Sequence, residues 1–253
     1  MTSSGGDSGS SANGDAEESD LDAFDGTTQY RDTRVRLVEL GRSLTEAQGR
    51  LMVSATPEWS IKDAYSHLAG AASDMLAGNL EGVTTDPWTE AQVAARRNRD
   101  LAEVVDELAS LCEAMDSTID SVGDAMDIRL FIDQWTHEQD IRGTVGIAGG
   151  ADSPIVAKAS PGMAKGWVNG AARAGLPVLE VAMDGTTYAP RGSSGDAQVT
   201  LSVDGYEAMR VGLGRRSRAQ LEKLDWSGIS DPGDYFDHLV FFTIADRDVI
   251  DSR

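Results

Sequence analysis

Trp59-Ser60-Ile61-Lys62-Asp63-Ala64-Tyr65-Ser66-His67-Leu68-Ala69-Gly70 reads as the opening of a helix, and it sets the fold of the first half of the chain. Ser60 stands at the N-cap with Asp63 three residues on, an acidic form of the capping box. Ile61, Ala64, Tyr65, Leu68, Met75 and Leu76 recur at three- and four-residue intervals, the buried stripe of an amphipathic helix. Outward from this segment the same period runs from about Thr27 to Gly149 and predicts four helices. The first starts near Thr28 and carries Leu37, Leu40 and Leu44; Ala55-Thr56-Pro57-Glu58 loops into the second. The third begins near Pro87-Trp88-Thr89 and continues through Val93, Leu101, Val104, Val105, Leu108 and Leu111 to Gly123, a length that invites a kink. The fourth starts near Asp124 and ends around Gly146 to Gly150, with Ile128, Phe131, Ile132 and Trp135 as its apolar stripe.

Beyond Asp152-Ser153-Pro154 the character changes. A helix over about Ile155 to Ala174 leads into Pro177 to Met183, a strand closed by Asp184-Gly185, a strong hairpin signal, with Thr186 to Ala189 returning. A strand over Ala197 to Val203, short helices over Tyr206 to Val211 and Ser217 to Leu224, and a last helix over Gly233 to Ile244 complete the chain. The fold class is therefore α+β, a helical bundle over 26–150 followed by a smaller α+β domain over 151–253. The length of 253 residues suits two modest domains.

Residues 1–25 hold seven acidic residues, no Lys or Arg, and only Leu21 and Phe24 as sizeable apolar groups, a composition expected to be disordered. A secretory signal is not visible, and no stretch approaches the roughly 20 apolar residues that span a bilayer. The net charge of −20 repels nucleic-acid phosphates and anionic lipid, so neither is an expected partner. One cysteine, Cys112, excludes an internal disulfide and fits a reducing, cytoplasmic compartment; its apolar surroundings read as a buried small hydrophobe. A monomer or dimer is expected.

Chemistry concentrates in Asp133-Gln134-Trp135-Thr136-His137. On a helix Asp133, His137 and Asp140 fall within roughly 60° of arc, and Asp133 and His137 are one turn apart, close enough to hold one cation, with His67 as a third ligand. Two imidazoles and a carboxylate suit a divalent metal such as zinc and leave a position open, the mark of a reactive site. The competing reading is an exposed helical Asp–His pair, with His67 at the edge of its core stripe and bonded to Asp63. His238, in an apolar segment, reads as packing, as do Trp59, Trp88 and Trp135.

Trp59, Asp63, His67, Leu68 and Ala69, with Asp133, Trp135, His137, Asp140 and Ile141, resemble the metal-binding helical domain of the mycothiol-dependent maleylpyruvate isomerase family, within the wider DinB-like four-helix group. The resemblance implies His67, Asp133 and His137 as zinc ligands and mycothiol as a thiol cofactor. In that family the acidic ligand is Glu. Asp133 is one methylene shorter, so its carboxylate must approach closer or bind through water. Asp140 matches a family position and would orient a ligand or coordinated water, or would simply be a solvated acid. The second half resembles, more weakly, the sterol-carrier-like domain attached to such bundles, through Gly212-Leu213-Gly214-Arg215-Arg216-Ser217. There an arginine reaches the active site and assists an anionic substrate, which implies a catalytic role for Arg215; the alternative is a surface arginine balancing local acids.

The expected activity is that of a zinc-dependent, mycothiol-using isomerase or thiol S-transferase acting on a small electrophile, anions included. Two alternatives stay open: a non-catalytic metal-binding or interaction protein, and a metal-dependent hydrolase whose bound water attacks directly.

Overall fold

The structure, a computed structural model, describes residues 24–192 and 198–253. The acidic segment up to residue 23, expected to be disordered, lies outside the described residues, as does Ala197, the expected first residue of a strand. The helical half is built from α1 (Gly26–Ser43), a single turn α2 (Glu46–Gly49), α3 (Ile61–Ala77), α4 (Asp86–Ala95), α5 (Leu101–Ser110), α6 (Cys112–Val122) and α7 (Ile128–Val145). The capping box at the start of α3 forms as read: the Ser60 side chain accepts from the Asp63 amide, and the Asp63 carboxylate accepts from the Ser60 amide at 2.9 Å.

The long third helix expected from sequence is three helices. Asp100 opens α5 with a capping box of its own, closed by Glu103, which restarts the chain after α4. Arg96 at the end of α4 reaches Glu107 on α5 at 2.6 Å, and Lys62 satisfies the turn carbonyl of Arg97 at 2.9 Å, so the break is held from both sides. A second, milder break falls at Leu111, between α5 and α6.

The remaining elements are α8 (Pro154–Arg173), β1 (Leu179–Met183), β2 (Thr186–Tyr188), β3 (Val199–Val203), α9 (Gly205–Gly212), α10 (Arg218–Leu221), β4 (Asp225–Ser227) and α11 (Phe236–Leu239). Asp184 and Gly185 join β1 to β2 with φ of 49° and 80°, the two positive values a type I′ turn needs. The sheet order is β2-β1-β3-β4, with β1 and β3 parallel from Leu179 opposite Val199, and both outer pairs antiparallel. Strand β4 was not legible in the sequence. The expected last helix ends at Leu239: Val240 is extended, and Phe241 donates its amide to Gly212 at 2.8 Å, so the backbone beyond α11 bonds to α9 and not to itself.

Among the described residues two apolar cores result. One lies within the helical half, around Leu37, Ile61, Tyr65, Leu101, Val105, Leu108 and Ile141. The other begins on α6 and α7 with Met115, Ile119 and Trp135 and continues through Trp167, Leu179, Val181, Leu201, Met209 and Phe236. That second core runs unbroken from the bundle to the sheet, so helix α7 serves both halves. Among the described residues no helix is long and apolar enough to cross a membrane.

The C-terminal segment is strapped across α7 and α9. The Ile250 amide bonds the Ser54 hydroxyl, and a Cβ added at Gly143 of α7 would stand 2.0 Å from the Ile250 carbonyl oxygen. Gly143→Ala therefore pushes this backbone off α7, at a cost of about 1–3 kcal/mol. Amides around residue 250 are expected to exchange with solvent faster in that variant, and unchanged exchange would show that the strap tolerates the methyl group.

Candidate metal centre

Helices α3 and α7 bring His67, Asp133 and His137 together, with one ligand atom from each inside a 4.8 Å cluster. The Asp133 carboxylate straddles the two rings: Oδ2 lies 3.3 Å from Nε2 of His67 and Oδ1 3.5 Å from Nε2 of His137. Ligands about 2.0–2.1 Å from tetrahedral zinc are about 3.3 Å apart, so this set of donors can hold such an ion. Both imidazole side chains are 6% exposed and the carboxylate 40%, which leaves the cluster open to solvent on the carboxylate side. Trp59 packs 5.3 Å from the His67 ring and 5.8 Å from the His137 ring, and Trp88 6.3 Å from His67. These two tryptophans do pack, as expected, but against the histidine pair, where they displace water.

Charge in the cluster is mutually stabilised. Burial would raise the Asp133 carboxyl, but His67 and His137 outweigh it and hold the group well below the usual carboxylate range. Burial would lower the His67 ring, but Asp133 outweighs it and lifts it above its ordinary value.

Each ring is also held from behind. Nδ1 of His67 lies 2.8 Å from Gln92 Oε1, and the Gln92 amide donates to Asp74 at 2.7 Å. Asp63, the alternative partner for His67, is engaged by Ser60 instead. Nδ1 of His137 faces Asp140 Oδ2 at 3.7 Å. Asp140 is not a solvated acid: its side chain is fully buried, 2.7 Å from Nη1 of Arg210 and 3.2 Å from Nη2 of Arg215. The Arg210 contact is an ion pair without a linear hydrogen bond, whereas Arg215 hydrogen-bonds Asp140 through both Nε and Nη2. Burial would raise the Asp140 carboxyl; Arg215 and Arg210 outweigh it and hold it low.

Arg215 is thus drawn onto Asp140 and not left on the surface, and Nη1 donates to the Leu213 carbonyl at 2.7 Å. Its neighbour Arg216 pairs with Glu207 at 2.6 Å and with Asp251. Arg210, fully buried, also reaches Asp251 at 3.0 Å. Sequence reasoning missed Gln92, Asp74, Arg210 and Asp251. An arginine within the apolar stretch Tyr206 to Val211 was the available signal for Arg210, and nothing local distinguished the others. His238 lies beside Gly170, away from the cluster, and Cys112 is half-buried with its thiol pushed up by burial.

Residues 30–146 match the family model described as the mycothiol maleylpyruvate isomerase N-terminal domain. A crystal structure of the mycothiol-dependent maleylpyruvate isomerase superposes with a TM-score of 0.57 at 14% identity, over 81% of this chain and 93% of that one. A histidine-to-alanine mutant of that isomerase superposes with a TM-score of 0.55 at 13% identity, over the same shares. At these identities the likeness establishes the fold. No curated protein matches the chain in sequence.

Asp140→Asn leaves Arg210 and Arg215 without their shared carboxylate and is expected to cost about 3–5 kcal/mol in urea unfolding at neutral pH. Because the folded-state pKa of Asp140 is depressed, its contribution is present above the ordinary carboxylate pKa and is lost as pH falls toward the folded value. The difference between native protein and variant is therefore expected to shrink on acidification. A gap that stays constant into acid would contradict the ion-pair account.

Proposed function

We propose that this protein, whose residues 30–146 match the mycothiol maleylpyruvate isomerase N-terminal domain model, is a metal-dependent cytoplasmic enzyme that uses mycothiol on a small electrophile. The reaction is isomerisation or thiol transfer. His67, Asp133 and His137 hold a divalent cation, and their donor set favours zinc. A cation held there would supply Lewis acidity favouring the thiolate, the nucleophilic form of a thiol, at neutral pH.

The chain's own groups divide the remaining work. Asp133 is ionised already, so ligation by it costs no deprotonation. Trp59 and Trp88 shield the rings from water, which strengthens every electrostatic contact inside. Arg215 uses Nε and one N–H of each Nη on Asp140 and Leu213, and its other N–H groups, unclaimed among the described residues, form a donor edge for a carboxylate on the substrate. The observation that supports this reading most directly is the convergence of three ligand atoms from two helices on a cluster whose carboxylate side is open.

Elemental analysis of the purified protein is expected to return near-stoichiometric zinc, and His137→Ala prepared identically little. Maleylpyruvate, the substrate in the name of the similar isomerase, is the first electrophile to assay, with and without mycothiol. Arg215→Met is expected to keep its metal and lose about 10- to 100-fold in kcat/KM, the worth of charged hydrogen bonds. Equal or absent metal in both preparations, even after incubation with zinc, would remove the metal enzyme. Turnover that persists without thiol would turn the reading toward hydrolysis.

A further inference from the structure

The hydrogen-bond chain behind His67 has only one consistent polarity. The amide nitrogen of Gln92 faces the Asp74 carboxylate and donates to it at 2.7 Å. The carboxamide oxygen is thereby turned to His67, and an oxygen acceptor 2.8 Å from Nδ1 requires the hydrogen to reside on Nδ1. The neutral ring then carries its lone pair on Nε2, which faces Asp133 Oδ2, another acceptor, across 3.3 Å. A proton on Nε2, or a cation shared with Asp133, bridges the two at that distance. Gln92 is 3% exposed, too buried for water to substitute for either partner.

The approach of Gln92 depends on a missing side chain. A Cβ at Gly70, one turn beyond the His67 position on α3, would stand 2.5 Å from Cβ and 2.6 Å from Cγ of Gln92. Asp74, one further turn along α3, is half-buried and also accepts from Asn79 at 3.0 Å, which fixes its carboxylate against the Gln92 amide. Arg96 holds the far side of the segment by donating to the Gln92 carbonyl at 3.0 Å and to Glu107.

We propose that Gln92, oriented by Asp74 and admitted by Gly70, is the positioning residue that fixes His67 as the Nδ1–H tautomer and commits its Nε2 lone pair to the space shared with Asp133 and His137. Nothing in this arrangement touches the reacting molecule; it acts through His67 alone. The affinity part of the test rests on the metal-centre reading above, and the tautomer part stands apart from it.

Three proteins decide the matter: the native chain, Gln92→Leu, and the double variant Asp74→Asn with Gln92→Glu. The double variant keeps the net charge and restores the chain's polarity, since the amide introduced at position 74 would donate to the carboxylate introduced at position 92, and that carboxylate would accept from Nδ1. Long-range proton–nitrogen spectra of the imidazoles in the metal-free protein, at alkaline pH where the rings are neutral, read the tautomer. Competition with a chromophoric chelator reads zinc affinity, and thermal unfolding followed by circular dichroism verifies the fold. The native chain is expected to show Nδ1–H at His67, Gln92→Leu a tautomer mixture and about 10- to 100-fold weaker zinc binding, and the double variant a return of both.

If Gln92→Leu does not fold, Gln92→Met replaces it, closer to the native side chain in length and likewise without a carboxamide, and the double variant is compared with that protein. A folded Gln92→Leu with native tautomer and native affinity would overturn the proposal while leaving the metal centre intact, as would a double variant no better than the single. A native chain that binds no zinc yet shows the Nδ1–H tautomer, lost in Gln92→Leu, would sink the metal reading and support the positioning role.

Discussion

A fully buried carboxylate, Asp140, is the constraint around which the rest is arranged. An unpaired charge in such a place would cost several kcal/mol even after relaxation, so its partners have to be present whenever the chain is folded. Those partners, Arg210 and Arg215, come from α9 and the turn after it, far along the chain from α7. Arg210 is itself buried and needs Asp251, and Asp251 also takes Arg216, so the charge balance of α7 is completed only when the C-terminal strap is in place. Gly143, which lets the Ile250 carbonyl lie directly on α7, is the steric counterpart of the same requirement.

The consequence for the candidate metal centre is directional. Asp140 sits one turn from His137 on α7 and faces its Nδ1, while the opposite nitrogen turns to Asp133. The arginines that neutralise Asp140 therefore also decide what stands behind one of the two rings. The other ring is supported differently, by a neutral amide whose own orientation comes from Asp74. One histidine is backed through long-range ion pairs that join the two halves of the chain. The other is backed through contacts among α3, α4 and their connecting loop.

Legibility followed the range of the interactions. Ser60 and Asp63, three residues apart, announced the start of α3, and Asp184-Gly185 announced a turn, because both signals are local and the backbone conformation they favour is their own. The same local rule, applied without its competitor, made α4, α5 and α6 into one helix. Val93 and Leu101, eight residues apart, fit one helical period across the polar run from Arg96 to Asp100, but the capping box at Asp100 and the Arg96–Glu107 pair favour a turn there. At the other end the residues after Leu239 have a helical pattern, yet the Phe241 amide is taken by Gly212. Strand β4 is three residues long and exists because β3 offers it an edge.

By itself the sequence determined the α+β class, most helix starts, the hairpin turn, and the trio His67, Asp133 and His137 as a set of donors that helical spacing and resemblance could gather. Spacing suffices there because residues four apart on a helix share a face whatever surrounds them. Only the tertiary structure decided that Asp140 is buried, that Arg215 meets it, that Gln92 stands behind His67, and that the last residues of the chain close the charge network. Those outcomes depend on which surfaces exclude water from which charges, and that is a property of packed helices rather than of any one of them.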